Sequence, residues 1–124
     1  MIELMTGDKG ALARLEKAFR ACPDDFKELQ TEVNGGRVSV YRLTGSGYDV
    51  LIAGEIVGDS YFIWGAVGLG LIPAMQELKA YVTAAGLKTI SAATYFPALA
   101  RLCRKLRTTE ASDDDRTLMT MEVD

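Results

Sequence analysis

Apolar residues in the first part of the chain change from an extended to a helical spacing. Residues 1–5 predict a short strand. Apolar side chains then recur every three or four residues, which predicts a helix with one buried face: Ala11, Leu12, Leu15, Ala18 and Phe19. Pro23 ends this helix, and Asp24 and Asp25 could cap a second short helix after it.

Three segments with strand patterns follow a turn at residues 34–36. They cover residues 37–43, 50–57 and 60–67, and branched or aromatic side chains are frequent in them. A Gly-Asp pair between the last two segments is typical of a hairpin. In the third segment both alternating sets of positions are apolar, which predicts a strand in the interior of a sheet. The three segments therefore predict an antiparallel meander.

The second half of the chain alternates between helix and strand patterns. Helices are predicted for residues 71–85 and 97–106, strands for 87–95 and 117–123, and a solvated loop for 113–115. The predicted fold class is therefore α/β (α+β), with a mixed, mostly antiparallel sheet and helices on both faces.

The composition is that of a globular protein and argues against several classes of function. The chain has 124 residues, of which 48% are hydrophobic and 25% charged, and this predicts one domain over residues 1–124. Its net charge of -3 argues against a general nucleic-acid binder. No apolar run is long enough to cross a bilayer, and the first residues lack the order of a signal peptide. We therefore expect a cytoplasmic protein.

The chain contains no histidine. This excludes Ser-His-Asp and Cys-His nucleophilic machinery and zinc sites that use histidine. Cys22 and Cys103 form no CxxC pair, so we expect two free thiols rather than a disulfide, and no metal site. An enzyme built from this chain would use carboxylates, hydroxyls, a thiol or backbone dipoles.

A Gly-Leu-Gly segment at residues 68–70 separates a predicted strand from a predicted helix. A strand, a glycine turn and a helix start direct backbone N–H groups at one point, which attracts an anion such as phosphate. Leu71 and Ile72 would donate further N–H groups, whereas Pro73 has none. The alternative is a tight strand-to-helix turn in which glycine serves the backbone conformation.

This order of elements resembles the GNAT superfamily of acyl-CoA-dependent N-acyltransferases, most closely over residues 61–106. In that family a Q/R-x-x-G-x-G/A motif at a helix start holds the pyrophosphate of acetyl-CoA. Residues 65–70, Gly-Ala-Val-Gly-Leu-Gly, keep its two glycines, and residues 94–106 are similar to a later T-x-N-x-x-A-x-R-L-Y-x-K-L pattern. The resemblance implies acetyl-CoA as cosubstrate, no metal, and six cofactor-binding residues: Val67, Gly68, Leu69, Gly70, Leu71 and Arg101.

The sequence departs from the family pattern at several functional positions. Gly65 stands where the family has Gln or Arg, and Phe96 stands where it has Asn. Cys103 replaces the tyrosine that often protonates the departing CoA thiolate, and Arg107-Thr108 replaces a closing Gly-Phe. A chain with these changes could keep the fold without the chemistry.

Three residues are candidates for proton transfer. Glu55 would take a proton from the amine if it lies on an apolar face of the sheet, and the alternative is a solvent-facing position. Tyr95 is a candidate proton donor, and Cys103 could replace the family's tyrosine or be a small core residue. Arg101 belongs to a basic group that could meet the 3′-phosphate of CoA or an acidic partner, or simply face water at a helix end.

Two functions follow from these observations. The first is an acyltransferase that moves an acetyl group directly from acetyl-CoA to an amine. The second is a catalytically inactive GNAT-like interaction or structural protein, and in this respect the chain resembles small phage-encoded proteins that serve as virion components or host-directed factors. The partner would then be a protein, including a second copy of this chain, in the virion or the host cytoplasm.

Overall fold

Seven strands form one sheet in the computed structural model, which describes residues 1–123 and, for Pro97 and Asp113, the backbone alone. The strands are β1 Ile2–Leu4, β2 Ser39–Gly45, β3 Tyr48–Val57, β4 Ser60–Leu69, β5 Thr89–Thr94, β6 Thr109–Asp113 and β7 Arg116–Glu122. The helices are α1 Lys9–Leu15, α2 Pro23–Asn34, α3 Leu71–Ala84 and α4 Pro97–Cys103. Two 3-10 turns, Glu16–Phe19 and Arg104–Leu106, follow α1 and α4.

The order of strands across the sheet is β1-β2-β3-β4-β5-β7-β6. Neighbouring strands are antiparallel except β4 and β5, which run parallel. The predicted mixed, mostly antiparallel sheet is therefore confirmed. The meander of β2, β3 and β4 is confirmed too, and β4 lies in the middle of the sheet as its two apolar faces predict.

One strand is absent from the sequence prediction. β6 pairs with β7, and it includes Asp113, which the sequence places in a loop. Residues 109–112 are exposed and mostly polar, because β6 is an edge strand. Backbone pairing defines this strand, and no hydrophobic pattern marks it.

The start of α2 also differs from the prediction. The helix begins at Pro23, with Cys22 as its N-cap, and Cys22 makes no side-chain capping bond. Proline is well suited to the first helical position because its missing N–H would have no partner there. Asp24 and Asp25 therefore lie in the first turn, where their charges favour the positive end of the helix, and not at the cap.

Helices cover both faces of the sheet, as predicted. Alternate side chains of β3 point to opposite faces and join two different cores. The core under α1 and α2 contains, among others, Leu15, Leu29, Leu51 and Ala53. The core under α3 contains, among others, Val50, Ile52, Met75 and Leu78. On the α3 side, α4 adds a small cluster through Ala100, Cys103 and Met119.

The two parallel strands at the centre of the sheet separate along their length. β4 pairs with β5 only from Ser60 to Ile63. A bulge follows at Trp64, which has no partner in the register between β3 and β4. Beyond the bulge, β4 remains paired with β3 as far as Leu69 but no longer pairs with β5. The sheet therefore opens between β4 and β5, in the middle of the molecule.

None of the helices formed by residues 1–123 is both long and apolar enough to cross a membrane.

Candidate functional site

A cleft of about 860 Å³ lies where β4 and β5 separate. Residues from both helical layers line it, so the cleft passes through the sheet from one face to the other. The strand residues that line it include Phe62 and Trp64 of β4 and Ala92 and Thr94 of β5. The cleft therefore has two arms, one on the α1/α2 face and one on the α3/α4 face.

The two arms differ in chemistry. Polar and charged side chains line the arm on the α1/α2 face: Arg20, Cys22, Asp25, Glu28, Tyr95 and Arg116. Apolar side chains and a thiol line the arm on the α3/α4 face: Met75, Ala98, Leu99, Leu102, Cys103 and Met119. The first arm suits a polar ligand and the second an apolar chain.

The start of α3 borders the apolar arm. β4 ends at Leu69, and Gly70 caps the 14-residue helix directly, with a left-handed backbone (φ 77°) and no side-chain bond. The first bond within the helix runs from the Ala74 N–H to the Gly70 carbonyl, at 3.1 Å. Leu71 and Ile72 thus carry N–H groups that the helix itself leaves without an acceptor, while Pro73 has none. This end of α3 can attract an anion.

The two glycines beside this helix start are explained by packing against β3. A Cβ on Gly68 (φ 131°) would overlap the Asp49 carbonyl oxygen and lie 2.9 Å from Val50 Cα. A Cβ on Gly70 would lie 2.8 Å from Tyr48 Cα. Both positions therefore need glycine for a close approach of two backbones, whether or not a phosphate binds nearby, and their positive φ angles fit the tight-turn alternative.

Five of the predicted cofactor-binding residues lie at this turn, and four of those line the cleft: Val67, Gly68, Gly70 and Leu71. Leu69 does not line it, and 66% of its side chain is exposed. The sixth, Arg101, is exposed on α4 and also lies outside the lining. The structure thus brings most of this set together around the α3 end of the cleft.

Glu55 lies on the α1/α2 face of β3 and is only 9% exposed. One carboxylate oxygen accepts a hydrogen bond from Arg37 Nε at 2.9 Å. The other accepts one from Trp64 Nε1 at 3.3 Å. Trp64 lines the cleft, whereas Glu55 does not, so the carboxylate sits behind the indole ring. Of the two positions that the sequence leaves open for Glu55, the structure shows the covered face, and both carboxylate oxygens already accept hydrogen bonds.

Cys103 and Tyr95 both line the cleft, from opposite faces. Cys103 is the last residue of α4 and is buried, and burial raises the pKa of its thiol, with a smaller effect from Glu110. The pKa of Tyr95 is also raised, first by loss of solvent and then by the charges of Cys22 and Asp25. At neutral pH both groups therefore hold their protons and can act only as donors.

A polar cluster around Cys22 was not predicted from the sequence. Burial and then Asp25 raise the pKa of the Cys22 thiol to about 11, whereas Tyr95 and Arg116 act to lower it. Nearby, the Arg20 guanidinium lies 4.3 Å from the centre of the Phe96 ring, and Arg20 Nη1 donates to the Lys17 carbonyl at 3.0 Å. Cys22 and Tyr95 are far apart in sequence, so only the topology brings them together.

Residues 1–123 contain no group of three or more His, Cys, Asp or Glu side chains that could hold a metal ion.

The chain matches no protein-family model and no curated protein sequence. Solved acetyltransferase structures do match it, over almost their whole length. The ribosomal-protein-S18-alanine N-acetyltransferase from Escherichia coli is 17% identical, with a TM-score of 0.71, over 99% of this chain and 93% of that chain. An IAA acetyltransferase from Bacillus cereus is 12% identical, with a TM-score of 0.65, over 98% of each chain.

A third structure includes a bound cosubstrate. An N-acetyltransferase from Campylobacter jejuni, in complex with acetyl coenzyme A, is 14% identical, with a TM-score of 0.61, over 98% of this chain and 99% of that one. At these identities the likeness concerns the fold. The protein has the fold of the GNAT acetyltransferases.

Proposed function

We propose, from this GNAT fold, that the protein is an acyl-CoA-dependent N-acyltransferase that transfers an acetyl group directly from acetyl-CoA to an amine. The observation that carries the proposal is the cleft through the opened sheet. Two substrates can enter it from opposite faces and meet at the bulge of β4, and bringing two reactants together is a major source of catalysis. The cytoplasmic location predicted from the sequence belongs to the same proposal.

The arm on the α3/α4 face has features that fit acetyl-CoA. The cleft volume of about 860 Å³ lies within the usual range for sites of cofactors and small ligands. The Leu71 and Ile72 N–H groups would bind the pyrophosphate at the start of α3. Leu99 and Leu102 would contact the apolar part of the cosubstrate. Arg101, on the exposed face of α4, would interact with a phosphate at the mouth.

The polar arm fits the acceptor amine. Tyr95 lies at this arm and Cys103 at the other, and each holds a proton that it can give to the departing thiolate. Glu55 supports the site from behind, because its bond to the indole N–H fixes the Trp64 ring at the cleft wall. Acetyl-CoA, when bound, provides the activated acetyl group.

Ligand-dependent stabilisation tests the cosubstrate assignment. We expect acetyl-CoA and CoA to raise the melting temperature saturably, and inorganic phosphate at the same concentration to leave it unchanged. A ligand that binds only the folded state adds about 2.7 kcal/mol at 100 times its Kd. Release of CoA would then be followed with a panel of primary amines. No rise in melting temperature at millimolar acetyl-CoA would contradict the proposal.

A matched pair of variants at Leu69 tests where the phosphates lie. Leu69 is exposed beside the start of α3, so Leu69→Asp should fold and place a negative charge near the pyrophosphate. Leu69→Asn has a similar shape without the charge. We expect the aspartate variant to bind acetyl-CoA several-fold more weakly, with a difference that shrinks at high salt. Equal affinities for the two variants would place the phosphates elsewhere.

A second candidate function is a GNAT-like interaction protein without catalysis. Two observations favour it: no loop separates β4 from α3, and both oxygens of Glu55 are already bound. Its partner would be a protein, either foreign or a second copy of this chain. A concentration-dependent increase in mass by light scattering, without any response to acetyl-CoA, would support this second function over the first.

A further inference from the structure

We propose that the protein accepts acyl donors with a short chain longer than acetyl, such as propionyl or butyryl, and that the end of this chain lies in a side pocket of the cleft. The side pocket has a volume of about 50 Å³. Its wall includes five residues that do not line the cleft itself: Ile90, Ser91, Leu106, Thr108 and Met121. This inference rests on the proposed acyl transfer and specifies the class of its acyl donor.

The side pocket adjoins the apolar arm of the cleft. Five residues line both spaces: Ile63, Met75, Ala92, Cys103 and Met119. Ile63 and Ala92 are the last pair in the register between β4 and β5, so the junction of the two spaces lies where these strands begin to separate. A thioester placed at the neighbouring bulge of β4 would therefore have the side pocket beside its acyl group.

The wall of the side pocket suits a hydrocarbon chain. Most of its side chains are apolar, and its two hydroxyl groups already have hydrogen-bond partners. Ser91 Oγ shares a hydrogen bond with Ser60 Oγ at 3.0 Å, and Thr108 Oγ1 donates to the Cys103 carbonyl at 3.3 Å. An acyl chain in the pocket would therefore leave neither hydroxyl without a bond, whereas a polar group would have to displace an existing partner.

The side chains at the junction can adapt to a chain that passes between them. Met75 and Met119 contribute unbranched, flexible side chains, and Cys103 contributes a small one. The volume of the side pocket then limits the length of the chain. A water molecule takes about 30 Å³ in the liquid and a methylene group is of similar size, so the pocket holds about two methylene groups. Butyryl exceeds acetyl by this amount.

Leu106 is the residue best placed to control the chain length. It lies in the 3-10 turn after α4, is half-buried, and lines the side pocket but not the cleft. Leu87 is a matched control, because it is half-buried too and packs against the same core, but lines neither space. Equivalent substitutions at the two leucines therefore separate a change in the side pocket from a general change in core packing.

The affinity of the wild-type protein for a series of CoA thioesters tests the proposal without any acceptor amine. Isothermal titration calorimetry would compare free CoA with its acetyl, propionyl, butyryl and octanoyl thioesters. Burial of one methylene group strengthens binding about fourfold. We therefore expect a stepwise gain in affinity from acetyl to butyryl and no further gain for octanoyl.

The other outcomes of this series are distinct from one another. Equal affinities for acetyl-CoA and butyryl-CoA would overturn the proposal, and so would a gain that continues to octanoyl, because the side pocket is too small for that chain. In both cases the proposed acyl transfer would stand. Failure of every thioester and of free CoA to bind would refute the acyl transfer itself.

Variants of Leu106 test whether the chain lies in the side pocket. Leu106→Phe adds volume to the wall and should abolish the gain of butyryl-CoA over acetyl-CoA. Leu106→Ala removes volume and should extend the gain to chains longer than butyryl. Leu87→Phe and Leu87→Ala should keep the wild-type order of affinities. The same order of affinities in the Leu106 and Leu87 variants would overturn the proposal.

Discussion

Replacement of Gly68 by alanine tests the account of the strand-to-helix turn. The Gly68 backbone has φ 131°, a region that residues with a side chain rarely adopt, and this conformation alone costs of order 1–3 kcal/mol. The new Cβ would also overlap the Asp49 carbonyl oxygen and lie 2.9 Å from Val50 Cα. Both neighbours are backbone atoms of a central strand, so they cannot rotate away, and overpacking adds about 1–3 kcal/mol. We therefore expect Gly68→Ala to lose about 2–6 kcal/mol of the free energy of unfolding.

Urea unfolding measures this loss directly. Trp64 is the only tryptophan in the chain and lies on β4 at the cleft, so its fluorescence reports the unfolding of both the sheet and the cleft. Gly58→Ala is the first control, because Gly58 also has positive φ (63°) but a Cβ there would meet nothing within 4 Å. Gly7→Ala is the second, with open space and no left-handed backbone. If Gly68→Ala lowers the free energy of unfolding no more than Gly58→Ala does, the packing explanation is refuted. A role of the glycine in ligand binding would then be the remaining explanation.

Two further predictions concern stability. The Tyr61 hydroxyl is buried without a hydrogen-bond partner among residues 1–123. We therefore expect Tyr61→Phe to raise the free energy of unfolding by about 1–3 kcal/mol in the same urea assay. A lower free energy of unfolding in this variant would show that the hydroxyl has a partner. Arg42 binds Asp49 at 2.7 and 3.0 Å and lowers the pKa of its carboxyl below the usual 3.8. The contribution of Asp49 is thus complete above pH 3.8 and is lost as the pH falls through the lower value of the folded state. We expect the stability difference between wild type and Asp49→Asn to be constant from pH 7 to about pH 5 and to shrink below pH 4, whereas a constant difference down to pH 2 would contradict this linkage.

Most of the fold follows from the sequence because its core elements bury one or both faces. The apolar runs of β3 and β4 and the apolar stripe of α3 can be read from the sequence because these residues are buried. β6 leaves none, because its residues are exposed at an edge, where backbone pairing and polar contacts such as the Arg104–Glu110 ion pair hold them. Sequence patterns therefore predict the interior of this sheet better than its edge.

The candidate site is harder to predict because long-range contacts form it. Val67, Gly68, Gly70 and Leu71 adjoin one another in the chain, so a local motif suffices to bring them together. One arm of the cleft is instead lined by Cys22 and Asp25, at the start of α2, and by Tyr95 after β5, and no spacing in the sequence links these positions. For Glu55 the sequence leaves both a covered and a solvent-facing position open, because its bonds to Arg37 and Trp64 depend on the tertiary fold.

The bulge at Trp64 decides where a ligand can lie, and the local sequence does not mark it. The strand prediction over residues 60–67 treats β4 as regular. In the structure, pairing with β5 stops at Ile63 because the bulge turns the rest of β4 away. The position of the bulge depends on the register of β4 with its two neighbouring strands, β3 and β5.

An NMR titration with acetyl-CoA tests most directly whether this cleft binds the cosubstrate. The 13.5 kDa chain is small enough for assignment of its backbone amides. We expect saturable shifts in the amides of Val67 to Ile72 and of Ala92 to Thr94, with amides of the β6–β7 hairpin turn little changed. Absence of shifts at millimolar acetyl-CoA, or shifts confined to residues outside the cleft, would contradict it.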